Sequence, residues 1–458
     1  MNDTIAAIST AMGVGAISII RVSGKDSIKI VNEIFTGKDL NEVPTHTIHY
    51  GHIVDEKIPI DEVLITVMKS PKTYTKEDIV EINCHGGINT TNKILETVLN
   101  HGARLAEPGE FTKRAFLNGR LDLSQSEAVM DVINSKSNDD RILALKSLEG
   151  QTTKKIKKFR AELNDLISHI EVNIDFPEYN DIEVMTKNKI EKKLKNQITE
   201  LKKIIEQSED RQIIKDGIKT LIVGRPNVGK SSILNNLLEY DKAIVTNIEG
   251  TTRDIVEGNI LLKGIPLNII DTAGIRKTSD VIEQIGRAQY VEGVKKSLSL
   301  INEADLVLVV LNGNEELTSE DLEILDKTKD KTSIVVINKS DLPQKINKDL
   351  LTNRIVVEST TTNEFGLENL KSKIIEMFNL DQISTLDQTY LNNARQLSLA
   401  KKALSSLEEA EKSSINNVPV DLIQIDLMDA FTKLGEIIGI TYSEEVINNL
   451  FKNFCVGK

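Results

Sequence analysis

Residues Gly224–Ser231 read GRPNVGKS, which fits the pattern G-x-x-x-x-G-K-[ST]. The apolar run Thr220–Val223 precedes them and is typical of a buried strand, while a helix is predicted to begin near Ser232. Glycines in such a loop let backbone N–H groups surround phosphate oxygens, and the helix N-terminus adds a partial positive charge. The stretch therefore predicts a phosphate-binding loop between a strand and a helix of an α/β sheet.

Three side chains of this loop have predicted roles. We expect the ammonium of Lys230 to reach the β- and γ-phosphates and the hydroxyl of Ser231 to bind Mg²⁺. Asn227 carries an amide oxygen that can bind a monovalent cation beside the phosphates, where a cation would neutralise developing charge as an arginine finger does. The alternative interpretation is that Asn227 only stabilises the loop.

Two later segments complete the predicted nucleotide site, and the second indicates which base the nucleotide carries. Asp271–Gly274 (DTAG) follows the apolar run Leu267–Ile270, so its carboxylate is expected to hold a Mg²⁺-bound water near the γ-phosphate. Asn338–Asp341 (NKSD) follows the apolar run Ile334–Ile337. Its aspartate can accept hydrogen bonds from the N1–H and the exocyclic amine of guanine, which adenine cannot supply. The sequence therefore predicts GTP rather than ATP.

The segments between these motifs describe an unusual hydrolytic site. Gly250–Asp254 (GTTRD) lies between the phosphate loop and DTAG, where a switch loop with a second Mg²⁺-binding threonine is expected. Many GTPases place a glutamine directly after DTAG to orient the attacking water, but this chain has Ile275 there. Another group must therefore orient the water.

Length and composition limit the class of protein. A chain of 458 residues suggests about two to four domains, and 40% apolar with 28% charged residues is typical of soluble globular proteins. The net charge of −12 argues against a broad surface that coats nucleic acid. Cys84 and Cys455 are the only cysteines, which excludes a disulfide framework. We find no signal peptide and no run of about 18 apolar residues, so we expect a cytoplasmic protein without a membrane span.

Periodicity along the chain predicts an α/β multidomain fold. Residues 1–118 read as an α+β domain, residues 119–215 and 379–458 read as helical, and residues 216–378 alternate strands with helices. The last pattern predicts a Ras-like P-loop GTPase domain with a doubly wound, mostly parallel sheet. We interpret it as inserted between the two halves of a helical domain, which is tolerated where entry and exit lie close together.

Four motifs lie towards the two ends of the chain, and the last two of them are far more specific than any phosphate loop. They are IIRVSG at Ile19–Gly24, EINCHGG at Glu81–Gly87, AEPGEFTKRAFLNGRLDL at Ala106–Leu123 and FCVGK at Phe454–Lys458. Together with the nucleotide segments, they resemble the bacterial and organellar tRNA-modification GTPases of the MnmE (TrmE) family. The resemblance covers essentially the whole length of the chain.

The resemblance implies a folate site in the N-terminal domain. In the family this domain dimerises and binds formyl- or methylene-tetrahydrofolate, and the matching positions here are Arg21, Glu81, Arg120 and Lys458. Guanidinium and ammonium groups suit the carboxylates of a folate tail, and Glu81 suits the pterin edge. Cys455 lies near this pocket in the family and has a possible role in modification, with simple packing as the alternative.

For the nucleotide site, the resemblance implies a potassium ion bound by Asn227, Thr246, Ile248 and Thr251, and Mg²⁺ bound by Ser231 and Thr252. The family's water-orienting glutamate matches Glu283. Potassium would promote association of two nucleotide domains. The residues expected to contact GTP are Asn227, Val228, Gly229, Lys230, Ser231, Ser232, Thr246, Asn247, Ile248, Glu249, Gly250, Thr251, Thr252, Asp271, Thr272, Ala273, Gly274, Asn338, Lys339, Asp341, Ser359, Thr360 and Thr361.

The family's partners follow from the same resemblance. The resemblance implies a homodimer that forms a heterotetramer with an FAD-dependent protein of the MnmG type. This complex would install an aminomethyl or carboxymethylaminomethyl group on C5 of U34 in certain tRNAs. A basic run at Lys154–Arg160 can contact tRNA phosphates or form a solvated face. Two alternatives stay open: a ribosome-assembly or translation GTPase switch, and a folate-dependent one-carbon transferase whose GTPase is only regulatory.

Overall fold

The structure is a computed structural model, and it describes residues 3–135, 137–175, 187–240, 258–262, 265–270, 300–360, 367–378, 391–416 and 418–457. The chain divides into two compact units. The first consists of Met1–Ile133, Leu145–Leu201 and Ala394–Lys458, and the second of Asn134–Ala144 and Lys202–Asn393. The domain boundaries given above remain predictions.

The described helices alternate with strands in the N-terminal part and around the phosphate loop, and follow one another directly from Glu110 to Asp216 and after Ala394. In chain order they are α1 (Ser27–Ile34), α2 (Ile88–Asn100), α3 (Glu110–Leu117), α4 (Leu123–Asn134), α5 (Asn138–Leu148), α6 (Gln151–Asp175), α7 (Lys187–Asp216), α8 (Lys230–Tyr240), α9 (Ser319–Lys327), α10 (Glu368–Met377), α11 (Ala394–Ile415), α12 (Val420–Ile437) and α13 (Glu444–Phe451). None of them is both long and apolar enough to cross a membrane.

Within the described part of the first unit, seven strands form one sheet in the order β3-β4-β5-β6-β2-β1-β7. They are β1 (Ile5–Ile8), β2 (Ile17–Ser23), β3 (Phe35–Thr36), β4 (Thr47–Asp55), β5 (Ile58–Met68), β6 (Ile79–His85) and β7 (Arg104–Leu105). Neighbouring strands are antiparallel except β1 and β7. The register places Arg21 of β2 opposite Glu81 of β6, so the sheet itself brings two predicted folate residues together.

The two faces of this sheet differ. On one face, side chains of α1 and α2 such as Val31 and Ile94 join strand residues in a buried core. The other face carries exposed apolar side chains on three strands, β2, β4 and β5. Tyr50 and Leu64 face each other across β4 and β5, and Ile48 and Ile17 lie on the same side of the sheet. Helices α1 and α2 therefore cover the first face, and on the second face Phe111 of α3 packs against Ile5 and Ala7 of β1.

The helices of the first unit bury the faces that their periodicity predicts. On α6, Ile156, Phe159, Leu163, Leu166 and Ile170 are buried, whereas Ile174 in the last turn is 44% exposed. This helix packs against α12, and α12 packs against α11. The guanidinium of Arg395 at the start of α11 contacts both carboxylate oxygens of the buried Glu127 of α4, at 2.6 and 2.8 Å.

The second unit contains the doubly wound sheet. Its described strands have the order β13-β12-β11-β8-β10-β9, with bounds β8 (Ile218–Val223), β9 (Gly258–Leu262), β10 (Ile265–Ile270), β11 (Leu306–Asn312), β12 (Ser333–Asn338) and β13 (Ile355–Glu358). Every pairing is parallel except β9 with β10. Both faces are buried in apolar clusters, which explains the continuous apolar runs of these strands. The predicted fold class is confirmed.

Candidate functional site

The phosphate loop lies at the switch point of the parallel sheet. Strand β8 is flanked by β10 on one side and β11 on the other, and in such sheets ligands bind beyond the carboxyl ends of the strands where the order reverses. The loop of residues 224–229 begins at that end of β8 and leads directly into α8. The strand, loop and helix predicted around GRPNVGKS are thus present.

The backbone of the loop explains its residue types. Gly229 has φ 99°, and a Cβ there would lie 2.1 Å from Nδ2 of Asn338. At Gly224, with φ 155°, a Cβ would lie 2.4 Å from the Val310 carbonyl oxygen. Asn227 has φ 64°, a left-handed conformation that asparagine accepts more readily than most residues. This conformation supports a structural role for Asn227 and leaves its proposed cation-binding role untested.

Lys230 is held by the loop itself. Its Nζ donates hydrogen bonds to the carbonyl oxygens of Gly224 and Arg225, both at 2.8 Å. An ammonium has three N–H donors, so the loop uses two of them and a further one can contact a phosphate oxygen. Burial lowers the pKa of Lys230, as expected for a charged group removed from water. The geometry fits the role predicted for this side chain.

The predicted base-binding residues meet beside the loop. Asn338 at the end of β12 donates from Nδ2 to the carbonyl oxygen of Val228, at 2.9 Å. Ser340 N donates to the Ser359 carbonyl oxygen at 3.0 Å. Asp341 is exposed and accepts a hydrogen bond of 2.9 Å from Oγ1 of Thr360. The NKSD segment and the segment after β13 therefore form one site with an oriented carboxylate at its surface.

Several predicted nucleotide and folate residues lie outside the described residues. They are Thr246, Asn247, Ile248, Glu249, Gly250, Thr251, Thr252, Asp271, Thr272, Ala273, Gly274, Glu283, Thr361 and Lys458. Their roles, including the water-orienting role of Glu283 and the switch-loop ligands of Mg²⁺ and K⁺, stay predictions.

A second cluster lies in the first unit and joins the two ends of the chain. Arg21 contacts Oε1 of Glu81 through Nε at 2.9 Å and Nη2 at 2.8 Å, and its Nη1 donates to the Gly457 carbonyl oxygen at 3.1 Å. The guanidinium of the exposed Arg120 lies 4.7 Å from the ring centroid of Tyr74, and that of Arg21 lies 5.6 Å from the same ring. Two of the four predicted folate residues, Arg21 and Arg120, therefore lie over one aromatic ring, Glu81 is paired with Arg21, and the fourth is next in sequence to Gly457.

Sequence reasoning missed Tyr74. Its hydroxyl makes a hydrogen bond of 2.8 Å with Thr112 Oγ1, which orients the ring that both guanidinium groups contact. No local pattern marks an aromatic residue for such a contact, because Arg21 and Arg120 are distant from it in sequence. The residues around it, Lys72–Asp78 (KTYTKED), contain no motif that predicts an aromatic residue at a binding site.

The carboxy-terminal tail contacts the N-terminal domain through its backbone. The Cys455 carbonyl oxygen accepts from Gly109 N at 3.2 Å, and the Gly457 carbonyl oxygen accepts from Ser9 Oγ at 3.1 Å. The thiol of Cys455 is free and the residue is exposed, while Cys84 is buried. The tail is therefore docked beside the folate candidates.

Among the described residues no group of three or more acidic, histidine or cysteine side chains could hold a metal ion.

The long motif at Ala106–Leu123 contains a buried ion network. Arg114 is 1% exposed and pairs with Glu110 at 3.0 Å, with Asp3 at 2.9 Å and with Glu77 at 3.1 Å. Arg104 also contacts Asp3 at 2.7 Å and Glu110 at 2.6 Å. Buried charges are retained only when they are paired in this way. Part of the motif therefore serves the fold of the first unit rather than ligand binding.

The basic run on α6 is largely engaged within the first unit. Lys155 pairs with Glu200, and Lys158 lies 3.8 Å from Glu162. The guanidinium of Arg160 lies 4.0 Å from the ring centroid of Phe431. These contacts favour the interpretation of a solvated, internally paired face over a phosphate-binding patch.

Comparison with known proteins gives consistent matches along the whole chain. Family models described as "GTP-binding protein TrmE N-terminus" and "MnmE helical domain" match residues 4–120 and 123–455. The tRNA modification GTPase MnmE of Bacillus cytotoxicus is 49% identical over 462 residues, which covers 100% of this chain and 99% of the relative. The protein of the same name from Bacillus thuringiensis matches with the same identity and coverage.

A solved structure, the G domain of the T. maritima FeoB iron transporter, is 28% identical and covers 35% of this chain and 97% of that chain. Its TM-score of 0.26 is too low to carry a structural conclusion. The family models and the full-length relatives are sufficient by themselves. This chain belongs to the family of tRNA modification GTPases MnmE.

Proposed function

We propose that this chain is a potassium-dependent GTPase that, with a flavoprotein partner, uses a tetrahydrofolate one-carbon unit to install (carboxymethyl)aminomethyl groups on C5 of U34 in certain tRNAs. Membership in the family confirms the coarser prediction of a GTP hydrolase acting in tRNA modification. The observation that carries the finer proposal is the contact of Arg21 with both Glu81 and the carboxy-terminal tail, beside a Tyr74 ring that Arg21 shares with Arg120.

The nucleotide site fits GTP and Mg²⁺. Lys230 presents an ammonium at the end of the phosphate loop, and the exposed Ser231 follows it at the start of α8. A hydroxyl oxygen is a hard donor of the kind that Mg²⁺ accepts together with phosphate oxygens. The carboxylate of Asp341, oriented by Thr360, supplies the acceptor that selects guanine. Bound Mg²⁺ would neutralise charge on the phosphates during hydrolysis.

The cluster in the first unit fits an anionic, ring-containing cofactor such as folate. Among the described residues Arg120 makes no ion pair, so its charge is available to a carboxylate of the folate tail. Glu81 offers an acceptor to the donors of a pterin while Arg21 keeps it in place. The tail that docks at Gly457 would bring Lys458 to the same site as a further cation. The cofactor would supply the one-carbon unit.

A homodimer is supported by the sheet of the first unit. Its exposed face carries Ile48, Tyr50 and Leu64 on the adjacent strands β4 and β5 and Ile17 on β2, and contiguous apolar patches on a protein surface mark interaction sites. Burial of this face against a second copy would remove these side chains from water. The tRNA and the FAD-dependent partner are carried over from the family.

Mass spectrometry of wobble nucleosides tests the proposal directly. Cells that lack this chain are expected to lose 5-substituted uridine 34, and the wild-type chain should restore it. A chain carrying Lys230→Ala should fail to restore it, because that variant removes the ammonium expected at the phosphates. Unchanged modified uridine in cells lacking the chain would favour the ribosome-assembly or translation switch instead.

A measurement of folate binding tests the proposed folate site independently of GTP hydrolysis. Equilibrium dialysis of 5-formyltetrahydrofolate should give a dissociation constant about tenfold higher for Glu81→Gln than for the wild type, because a charge-assisted pair is lost. Glu96→Gln is the matched control, since Glu96 is exposed on α2 and pairs only at the surface.

One-carbon transfer to tRNA that continues undiminished in Glu283→Ala would support the transferase with a regulatory GTPase. Hydrolysis should be faster in K⁺ than in Na⁺, and equal rates would contradict potassium dependence.

A further inference from the structure

The phosphate loop is tied to a neighbouring element by one long side chain. Arg225 pairs through its guanidinium with the carboxylate of Glu315, in the segment that follows β11. Its Nε also lies 3.1 Å from Oδ2 of Asp321, close enough for an ion pair although not aligned as a hydrogen bond. Asp321 belongs to the first turn of α9 and is buried. Arg225 therefore connects the loop to two acidic groups.

Both acidic groups are themselves held in place. Asp321 completes the capping box of α9, where its Oδ2 accepts from the backbone N of Thr318 at 3.0 Å. Glu315 accepts a hydrogen bond of 2.6 Å from Nδ2 of Asn312, the buried last residue of β11. The hydrogen bond from Arg225 holds the pKa of Glu315 below its ordinary value, so this partner is ionised at neutral pH. The side chain of Arg225 is consequently fixed against the body of the second unit.

The main chain of Arg225 contacts the residue expected at the phosphates. Its carbonyl oxygen and that of Gly224 accept the two hydrogen bonds from Lys230 Nζ. The other end of the loop is fixed by the hydrogen bond from Asn338 to Val228. Anchoring residue 225 through its side chain therefore sets the position of an oxygen to which Lys230 is bonded.

We propose that Arg225 is a positioning residue for nucleotide binding, which holds the phosphate loop so that Lys230 directs its remaining N–H to the phosphates. The inference rests on the proposed GTPase activity and adds a residue to which the family resemblance gives no role. Because Lys230 contacts phosphate before and during hydrolysis, loss of its orientation removes binding that the ground state and the transition state share. The Michaelis constant should therefore change more than the turnover number.

Steady-state hydrolysis by the full chain is the test. Arg225→Met keeps an unbranched apolar stem like that of arginine and removes both ion pairs, so we expect KM for GTP to rise about tenfold while kcat stays within about twofold. Arg225→Lys keeps a point charge but loses the forked geometry, and it should recover part of the lost affinity. Lys373→Met is the matched control, because it removes a surface ion pair with Glu376 on α10 of the same unit.

Each outcome is decisive. If the wild type hydrolyses GTP and Arg225→Met has the wild-type KM, the inference is overturned while the proposed function stands. If the wild type does not hydrolyse GTP, the proposed function fails first. Should Arg225→Met fail to fold by circular dichroism, Glu315→Gln carries the test, since Glu315 is half exposed. A raised KM in that variant supports the inference, and an unchanged KM overturns it.

Discussion

At the scale of single residues, the nucleotide site depends on positions where only one residue type fits. Gly229 combines a left-handed backbone with the close approach of Asn338, and Lys230 uses the loop's own carbonyls as a support. Asp341 differs, because it is exposed and its carboxylate is oriented only by Thr360 among the contacts described above. Its contribution is therefore chemical rather than architectural, which makes it suitable for substitution.

Asp341→Asn is expected to lower the affinity for GTP by about tenfold or more, because the amide cannot accept both guanine hydrogen bonds and the charge assistance is lost. The same variant should bind xanthosine triphosphate better than the wild type does, since xanthine offers an acceptor where guanine has its amine. Titration with fluorescent nucleotides measures both. Unaltered GTP binding would mean that the base lies elsewhere. Thr360→Val, which removes only the orienting hydrogen bond, should have a smaller effect.

At the scale of elements, periodicity predicted the longer strands of the first unit and missed the short strands β1, β3 and β7. The strand-like runs Ala16–Val22 and Thr47–Ile53 in the sequence correspond to β2 and β4. The run at Glu62–Met68 is the end of a longer strand, β5. The two-residue strands β3 and β7 were not predicted, because pairing with a neighbouring strand defines them and two residues cannot display a period.

The capping box of α9 is an element whose contribution can be measured. Thr318 accepts from Asp321 N through its side chain, and the Asp321 carboxylate accepts from Thr318 N. Thr318→Ala should lower the free energy of unfolding of the second unit by about 1 kcal/mol, because an N-terminal donor of the helix loses its acceptor. Urea denaturation followed by circular dichroism provides the measurement. Thr432→Ala in the middle of α12 is the control and should not destabilise, since alanine is the better helix former there.

At the scale of the whole molecule, long-range contacts hold the two ends of the chain in one unit. Arg21 of the N-terminal sheet and Gly109 before α3 bind the carboxy-terminal tail, and the network of Asp3, Arg104, Glu110 and Arg114 connects the start of the chain to α3. Hydrogen bonding to Arg104 lowers the pKa of Asp3. Burial opposes the same change at Glu110, but hydrogen bonds from Arg104, the Glu107 backbone and Arg114 lower its pKa overall.

This network predicts acid sensitivity of the first unit. Carboxyl groups with lowered folded pKa values stabilise the fold above their unfolded pKa values of about 3.8 and 4.5, and this stabilisation is lost as the pH falls through the folded values. The free energy of unfolding should therefore fall from about pH 5 downward, as measured by urea denaturation at several pH values. Arg104→Met should make the dependence shallower; an equally steep dependence in that variant would show that other groups cause it.

Local sequence determined the class of the nucleotide site and the family, because a phosphate loop and a guanine-binding aspartate need particular residues at fixed spacing beside a strand. Part of the candidate folate set was predicted through the resemblance, but its geometry came only from the tertiary structure. Arg21, Tyr74, Arg120 and Gly457 meet through strand register and tail docking. The contact of Arg225 with Asp321 has the same origin. Side chains that are distant in sequence come into contact only when the chain folds. The spacing of residues within a short segment therefore does not predict such contacts.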